Sequence, residues 1–184
     1  MLDSFLLLLN KFLMFGEVII FFAFAAGGIS YYSMKKEELA VEAKVHLSVL
    51  ITSGVVISYH YLGSLYVSEF MEMSGKLDKV ALRKIFYTVM IHNEITALLT
   101  LYGLHKLLDC PFAKVTRYIM YMSLGILVLQ ALGYFERIIL GTYLGEYLYR
   151  FGITLIDIIT PTLLSLYLFL QCLSYFNKKR NYIK

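Results

Sequence analysis

Apolar positions dominate five long stretches of the chain, and short polar segments separate them. The stretches predict helices over 4–32, 38–73, 79–108, 113–140 and 149–177. The breaks are Ser33 to Glu38, Ser74 to Asp78, Asp109-Cys110-Pro111 and Gly141 to Gly152, each combining charge with glycine, proline or serine. No strand-like alternation competes with this pattern. Each stretch reaches the roughly 20 residues that cross a bilayer core of about 30 Å. The expected architecture is all-α, an integral membrane bundle of about five transmembrane helices forming one domain over 1–184.

Composition agrees with the pattern. Hydrophobic residues make up 59% of the 184 positions and charged residues 16%, and the mean hydropathy is +0.69, far from the usage of a soluble domain. The N-terminus has no basic segment and no small-residue cleavage site, so the first stretch is expected to stay as a helix. The formal charge of +4 comes from lysines and arginines gathered between apolar runs, which suits lipid headgroups and not nucleic acid. Basic residues at Lys35, Lys36, Lys44, Lys106, Lys114, Arg117, Lys178 to Arg180 and Lys184 outnumber those at Lys76, Lys79, Arg83, Lys84, Arg137 and Arg150 by ten to six. The first group marks the cytoplasmic side, giving a multi-pass protein of the cell membrane with its N-terminus out and its C-terminus in.

The four histidines lie on the second and third predicted helices, His46 and His60 on one, His92 and His105 on the other. Folding these helices back at Ser74-Gly75-Lys76 sets His46 level with His105 and His60 level with His92. At 1.5 Å per residue the two levels stand about 20 Å apart. On a helix advancing 100° per residue, His46 and His60 differ by about 40°, whereas His92 and His105 differ by about 140°. Haem iron takes two axial imidazoles, and a helical bundle can hold such a group between its helices. Ser53-Gly54, Gly103, Gly125 and Gly133 offer small side chains near the same levels.

Paired histidines at this spacing on two helices resemble the membrane b-type cytochromes, including the cytochrome b group and the transmembrane cores of ferric reductases and NADPH oxidases. The resemblance covers about a third of the chain. It implies two b-type haems, ligated by His60 with His92 and by His46 with His105, and electron transfer between a quinone pool and a partner redox subunit. The chain carries no flavin or nicotinamide domain, so a partner protein would supply it; assembly as a homo-oligomer is the other arrangement expected.

Ionisable side chains inside apolar runs are costly and usually functional. Glu17, Glu94, Gln130 and Asp157 fall there, and Glu136-Arg137 marks the end of the fourth helix. Glu94, two residues from His92, is the candidate catalytic acid or base at a quinone site. The same carboxylates and histidines suit a second reading, a proton-coupled transporter or channel, and the small size suits a third, a structural subunit of a membrane complex. Cys110 and Cys172 are expected at different depths and unpaired. There is no His-Glu-x-x-His segment, no phosphate-binding glycine loop and no Gly-x-Ser-x-Gly turn.

Overall fold

The computed structural model describes residues 12–23, 25–26 and 39–182. The described residues form helices: α1 (Phe12–Ala23), then α2 (Leu39–Met73), α3 (Lys79–Leu107), α4 (Lys114–Tyr134) and α5 (Glu146–Tyr182), with a π-helical turn over Phe135–Leu140 closing α4. The break expected at Ser33 to Glu38 and the outer parts of the first predicted helix lie outside the described residues.

Local chemistry sets each boundary. The Asp78 carboxylate accepts from the Val80 and Ala81 N–H groups and starts α3, satisfying donors that the first helical turn leaves free. Asp109 adopts a left-handed conformation at φ 46° after α3, a region that aspartate tolerates better than most residues. Ala113, at the start of α4, has no capping side chain; its N–H donates instead to Ser48 Oγ of α2 at 2.9 Å. The π turn ends at Gly141, φ 66°, where glycine carries no Cβ penalty.

The last connection is shorter than the predicted break, since the fifth helix is expected from 149. Helix α5 already begins at Glu146, where an i,i+4 ion pair from Glu146 to Arg150 at 2.9 Å supports its first turn. Gly152 is therefore helical, and the missing side chain matters for packing: a Cβ there would come within 2.7 Å of Leu129 Cδ1 on α4. Pro161 sits within α5. Having no N–H, it leaves the backbone carbonyl of Asp157 without its helical donor.

Consecutive helices pack against one another as α2 on α3, α3 on α4 and α4 on α5, with α2 also reaching α4. The α2–α3 register agrees with a turn at Ser74 to Lys76: Ser48 meets His105, and Gly63 faces Met90 and Asn93. One apolar cluster joins Ile20 of α1, Val49 of α2, Val115 and Ile119 of α4 and Leu164 of α5. A second joins Val55 to Ala97 and Leu101.

The interior is as notable for polar groups as for apolar ones. Glu17, Ser48, Thr52, Ser53, Asn93, His105, Thr116 and Gln130 are all buried, while many leucine, isoleucine, phenylalanine and tyrosine side chains point outward. Soluble proteins show the opposite tendency for groups of this kind. Three helical segments, Lys44–Met73, Lys114–Leu140 and Glu146–Leu170, are long and apolar enough to cross a membrane, and only 17% of the most apolar window of the second and of the third is buried within the chain. Helix α3 is as long but carries Arg83, Lys84, His92, Asn93 and Glu94, which lower its hydropathy.

Candidate functional site

Two polar levels lie along the bundle. At the first, near the α3–α4 connection, His105 of α3 is 1% exposed. Its Nδ1 lies 2.8 Å from the Leu101 carbonyl, and since a carbonyl oxygen only accepts, Nδ1 carries a proton and donates. In the neutral ring Nε2 is then the acceptor, and the Ser48 hydroxyl at 2.8 Å donates to it. Ser48 Oγ also lies 3.0 Å from Thr116 Oγ1, which stands 2.8 Å from Thr52 Oγ1. Thr52 donates to the Ser48 carbonyl at 2.7 Å. One serine thus connects α2, α3 and α4, and the Phe112 ring, 4.4 Å from the His105 ring between centroids and nearly parallel, covers the imidazole.

This level is closed to solvent by the α3–α4 connection. Lys44 Nζ pairs with Asp109 at 3.1 Å at the surface, and Cys110 Sγ donates to the Lys44 carbonyl at 3.0 Å. Burial pushes the Cys110 thiol up from its ordinary value; the Lys44 ammonium pulls it down and the Asp109 carboxylate adds to the rise. Cys110 is a free, buried thiol; the Cys172 side chain lies outside the described residues.

The second level is built on His60. Its Nδ1 lies 2.9 Å from Glu17 Oε2 and 3.1 Å from Oε1, so the imidazole donates to both oxygens of a carboxylate that is 2% exposed. Asp157 of α5 and Glu94 of α3 also act electrostatically on His60, and on each other. Four helices therefore place one titratable side chain each within electrostatic range of the others, Glu17 from α1, His60 from α2, Glu94 from α3 and Asp157 from α5, with Glu17 and His60 in direct contact. A cleft between α1 and α2, lined by Met14, Glu17, Val18, Ile57, Ser58 and Tyr61, opens onto Glu17.

The four histidines thus stand in different surroundings. His105 is enclosed, His60 is paired with Glu17, His46 is half-buried, and His92 is exposed, beside a shallow apolar cleft with Thr88, Ile91, Ile95 and Tyr134. A bis-histidine haem needs its flat macrocycle between the two ligand-bearing helices. Here α2 and α3 touch directly, through Ser48 and His105, through Tyr59 Oη and Thr100 Oγ1 at 2.8 Å, and through Asn93 Nδ2 donating to the Tyr59 carbonyl at 3.3 Å. In this arrangement the histidines do not fit the group: α2 and α3 would have to part, and His105 would have to give up its bond to Ser48. Among the described residues no three histidine, cysteine, aspartate or glutamate side chains are grouped to hold a metal ion.

Glu17, Glu94 and Asp157 stand out in the sequence one by one, but their convergence on His60 depends on how α1 and α5 are placed. The Ser48–Thr52–Thr116 chain is less visible still. Its trace is the pair Ser48 and Thr52, one helical turn apart on the same face of an apolar segment. No family model, curated protein or solved structure matches the chain.

Two outcomes follow from this level of the structure. Replacing Ser48 by alanine unpartners the Ala113 N–H and His105 Nε2 together, and is expected to cost about 1–3 kcal/mol in reversible unfolding in detergent. Ser53→Ala removes only a bond to the Val49 carbonyl of its own helix and serves as the mild control; equal losses for both would contradict the hub. In a Cys172→Ala background, maleimide alkylation of Cys110 is expected to be slow at neutral pH and to climb through the alkaline range. Asp109→Asn should speed it and Lys44→Met slow it; a rate independent of both would contradict the electrostatic account.

Proposed function

We propose that the chain is a multi-pass protein of the cell membrane, its N-terminus outside and its C-terminus inside, that carries protons through the Glu17–His60–Glu94–Asp157 group as a proton-coupled transporter or channel. The observation that supports it most is the approach of four titratable side chains from four helices within an apolar bundle. Its inside-out distribution of polar and apolar residues supports the membrane setting.

Charge balance supplies the mechanism. Three carboxyl groups face one imidazole, and isolated charges in a low-dielectric interior are expensive. Electroneutrality therefore requires protons bound within the group, and each proton that enters or leaves changes which charges are paired. With His60 as the imidazolium, its Nδ1 proton lies between the ring and the Glu17 carboxylate; passing it to the carboxylate leaves an Nε2-protonated neutral imidazole and a neutral acid. Glu94 and Asp157, within electrostatic range of His60, are the acceptors for the next proton. The cleft beside Glu17 gives this carboxyl its route toward the surface of the bundle. Glu94 holds its place in this reading as a proton-carrying group, and the histidine that matters is His60.

The test is proton flux into vesicles reconstituted with the purified protein, followed with an entrapped pH-sensitive dye under an imposed gradient. Wild type is expected to conduct, His60→Ala and Glu17→Gln to lose at least about tenfold, and Glu94→Gln to lose activity with retained folding. Flux unchanged in His60→Ala would overturn the proposal. Haem co-purifying in stoichiometric amount and lost on removing His46 or His105 would overturn it in favour of the b-type cytochrome reading and its quinone.

A further inference from the structure

The opposite end of the bundle, where the α2–α3 turn and the π turn lie, carries a second cluster that the proton pathway does not use. Its sequence elements are Arg83 and Tyr87 on α3, Arg137 in the π turn, Tyr143 in the following loop and Tyr149 on α5. The Arg137 guanidinium carbon stands 5.3 Å from the Tyr149 ring centre, 5.8 Å from that of Tyr87 and 6.0 Å from that of Tyr143. Arg83 also approaches Tyr143, 5.1 Å from the ring centre, and donates to its hydroxyl. Two cations therefore share one tyrosine.

Ring faces attract a guanidinium but do not satisfy its N–H donors, which lie in its plane and number five. Arg137 Nη2 and the hydroxyl of Tyr87, a residue only 1% exposed, are both buried without a partner at hydrogen-bond geometry; the guanidinium acts on the Tyr87 hydroxyl, which leaves the hydroxyl proton and the remaining Arg137 N–H groups without acceptors. The adjacent carboxylate does not answer them: Glu136 Oε1 accepts from the Gly145 N–H at 2.7 Å. Among the described residues neither Arg83 nor Arg137 has a carboxylate ion pair. Gly133 makes the space, since a Cβ there would stand 3.0 Å from Tyr87 and 3.1 Å from Tyr149. A π turn at such a place is often found where a helix serves a ligand.

Two converging guanidiniums and two buried donors without acceptors call for an oxyanion. We infer that Arg137, Arg83 and Tyr87 form a binding site for a phosphate group. The planar guanidinium matches phosphate oxygens two at a time, the Tyr87 hydroxyl supplies a further donor, and the aromatic rings hold Arg137 in place before the anion arrives. The phosphate can belong to a phospholipid headgroup at the bundle end or be a free anion. The site stands apart from Glu17 and His60 and does not depend on their role.

The experiment uses the purified full chain in neutral detergent and in nanodiscs, with inorganic phosphate and phosphatidylglycerol as the two probes and chloride and phosphatidylcholine as controls. Binding is read by thermal stabilisation with phosphate and by native mass spectrometry of retained lipid. Wild type is expected to bind one of the probes in preference to its control. Arg137→Gln removes charge-assisted bonds and is expected to weaken binding about tenfold or more, with Arg137→Lys keeping part of it. Tyr87→Phe keeps the ring, and is expected to weaken binding several-fold while raising the melting temperature of the ligand-free protein, because it removes an unpartnered buried hydroxyl. Stabilisation by inorganic phosphate assigns a free anion; retention of phosphatidylglycerol without a phosphate effect assigns a headgroup. Failure of both probes, or binding by Tyr87→Phe and Arg137→Gln equal to wild type, overturns the site. If Arg137→Gln does not fold, Tyr87→Phe decides between these outcomes.

Discussion

A carboxylate inside an apolar bundle must find its partner within the bundle, and the pairing of Glu17 with His60 is where this constraint acts most strongly. Water and mobile ions cannot share the task there, so the interaction is screened little and its partners are held closely. The pair joins α1 to α2 at 2.9 Å. It also fixes where a proton can reside, and Glu94 and Asp157 act on the same place from α3 and α5. Asp157 stands four residues before Pro161 on α5, where the proline ring supplies no helical donor to the Asp157 carbonyl.

The other polar level obeys the same constraint without net charge. Ser48 offers one hydroxyl to His105, Thr116 and the Ala113 N–H at the start of α4. A fully partnered network of this kind fixes how three helices sit relative to one another. It also makes His105 a structural residue in this arrangement, with both ring nitrogens engaged. The division between the levels is physical: hydroxyls and a buried imidazole hold the bundle together near Cys110, while ionisable groups gather around His60.

Much of the fold was legible from hydropathy and breakers. The α2 end at Met73, the α3 start at Lys79 and the α4 start at Lys114 lie within a residue of the predicted positions, because Ser74 to Asp78 and Asp109 to Pro111 combine charge with chain-breaking residues. The start of α5 lies three residues before the predicted 149, at Glu146, and Gly152, which reads as a breaker, is accommodated within the helix because Leu129 fills the space that a side chain would need. The depth matching of the histidine pairs follows from the turn position and agrees with the observed α2–α3 register, yet depth alone does not set direction. His92 faces outward while His105 faces inward, as their angular difference on one helix indicates. What periodicity could not supply is the contact between helices distant in sequence. Glu17 meets His60 across 43 residues, and Arg137 meets Tyr87 across a π turn that no local pattern announces.

The central claim is that Glu17, His60, Glu94 and Asp157 bind protons as one unit. Infrared difference spectroscopy tests it most directly, by following the carbonyl stretch of protonated carboxyl groups while the reconstituted protein is titrated, with Glu17→Gln, Glu94→Gln and Asp157→Asn assigning the bands. Coupled sites titrate as a group, so the account predicts that His60→Ala shifts the titration of every remaining carboxyl band. Bands that titrate independently and unchanged in His60→Ala would contradict it.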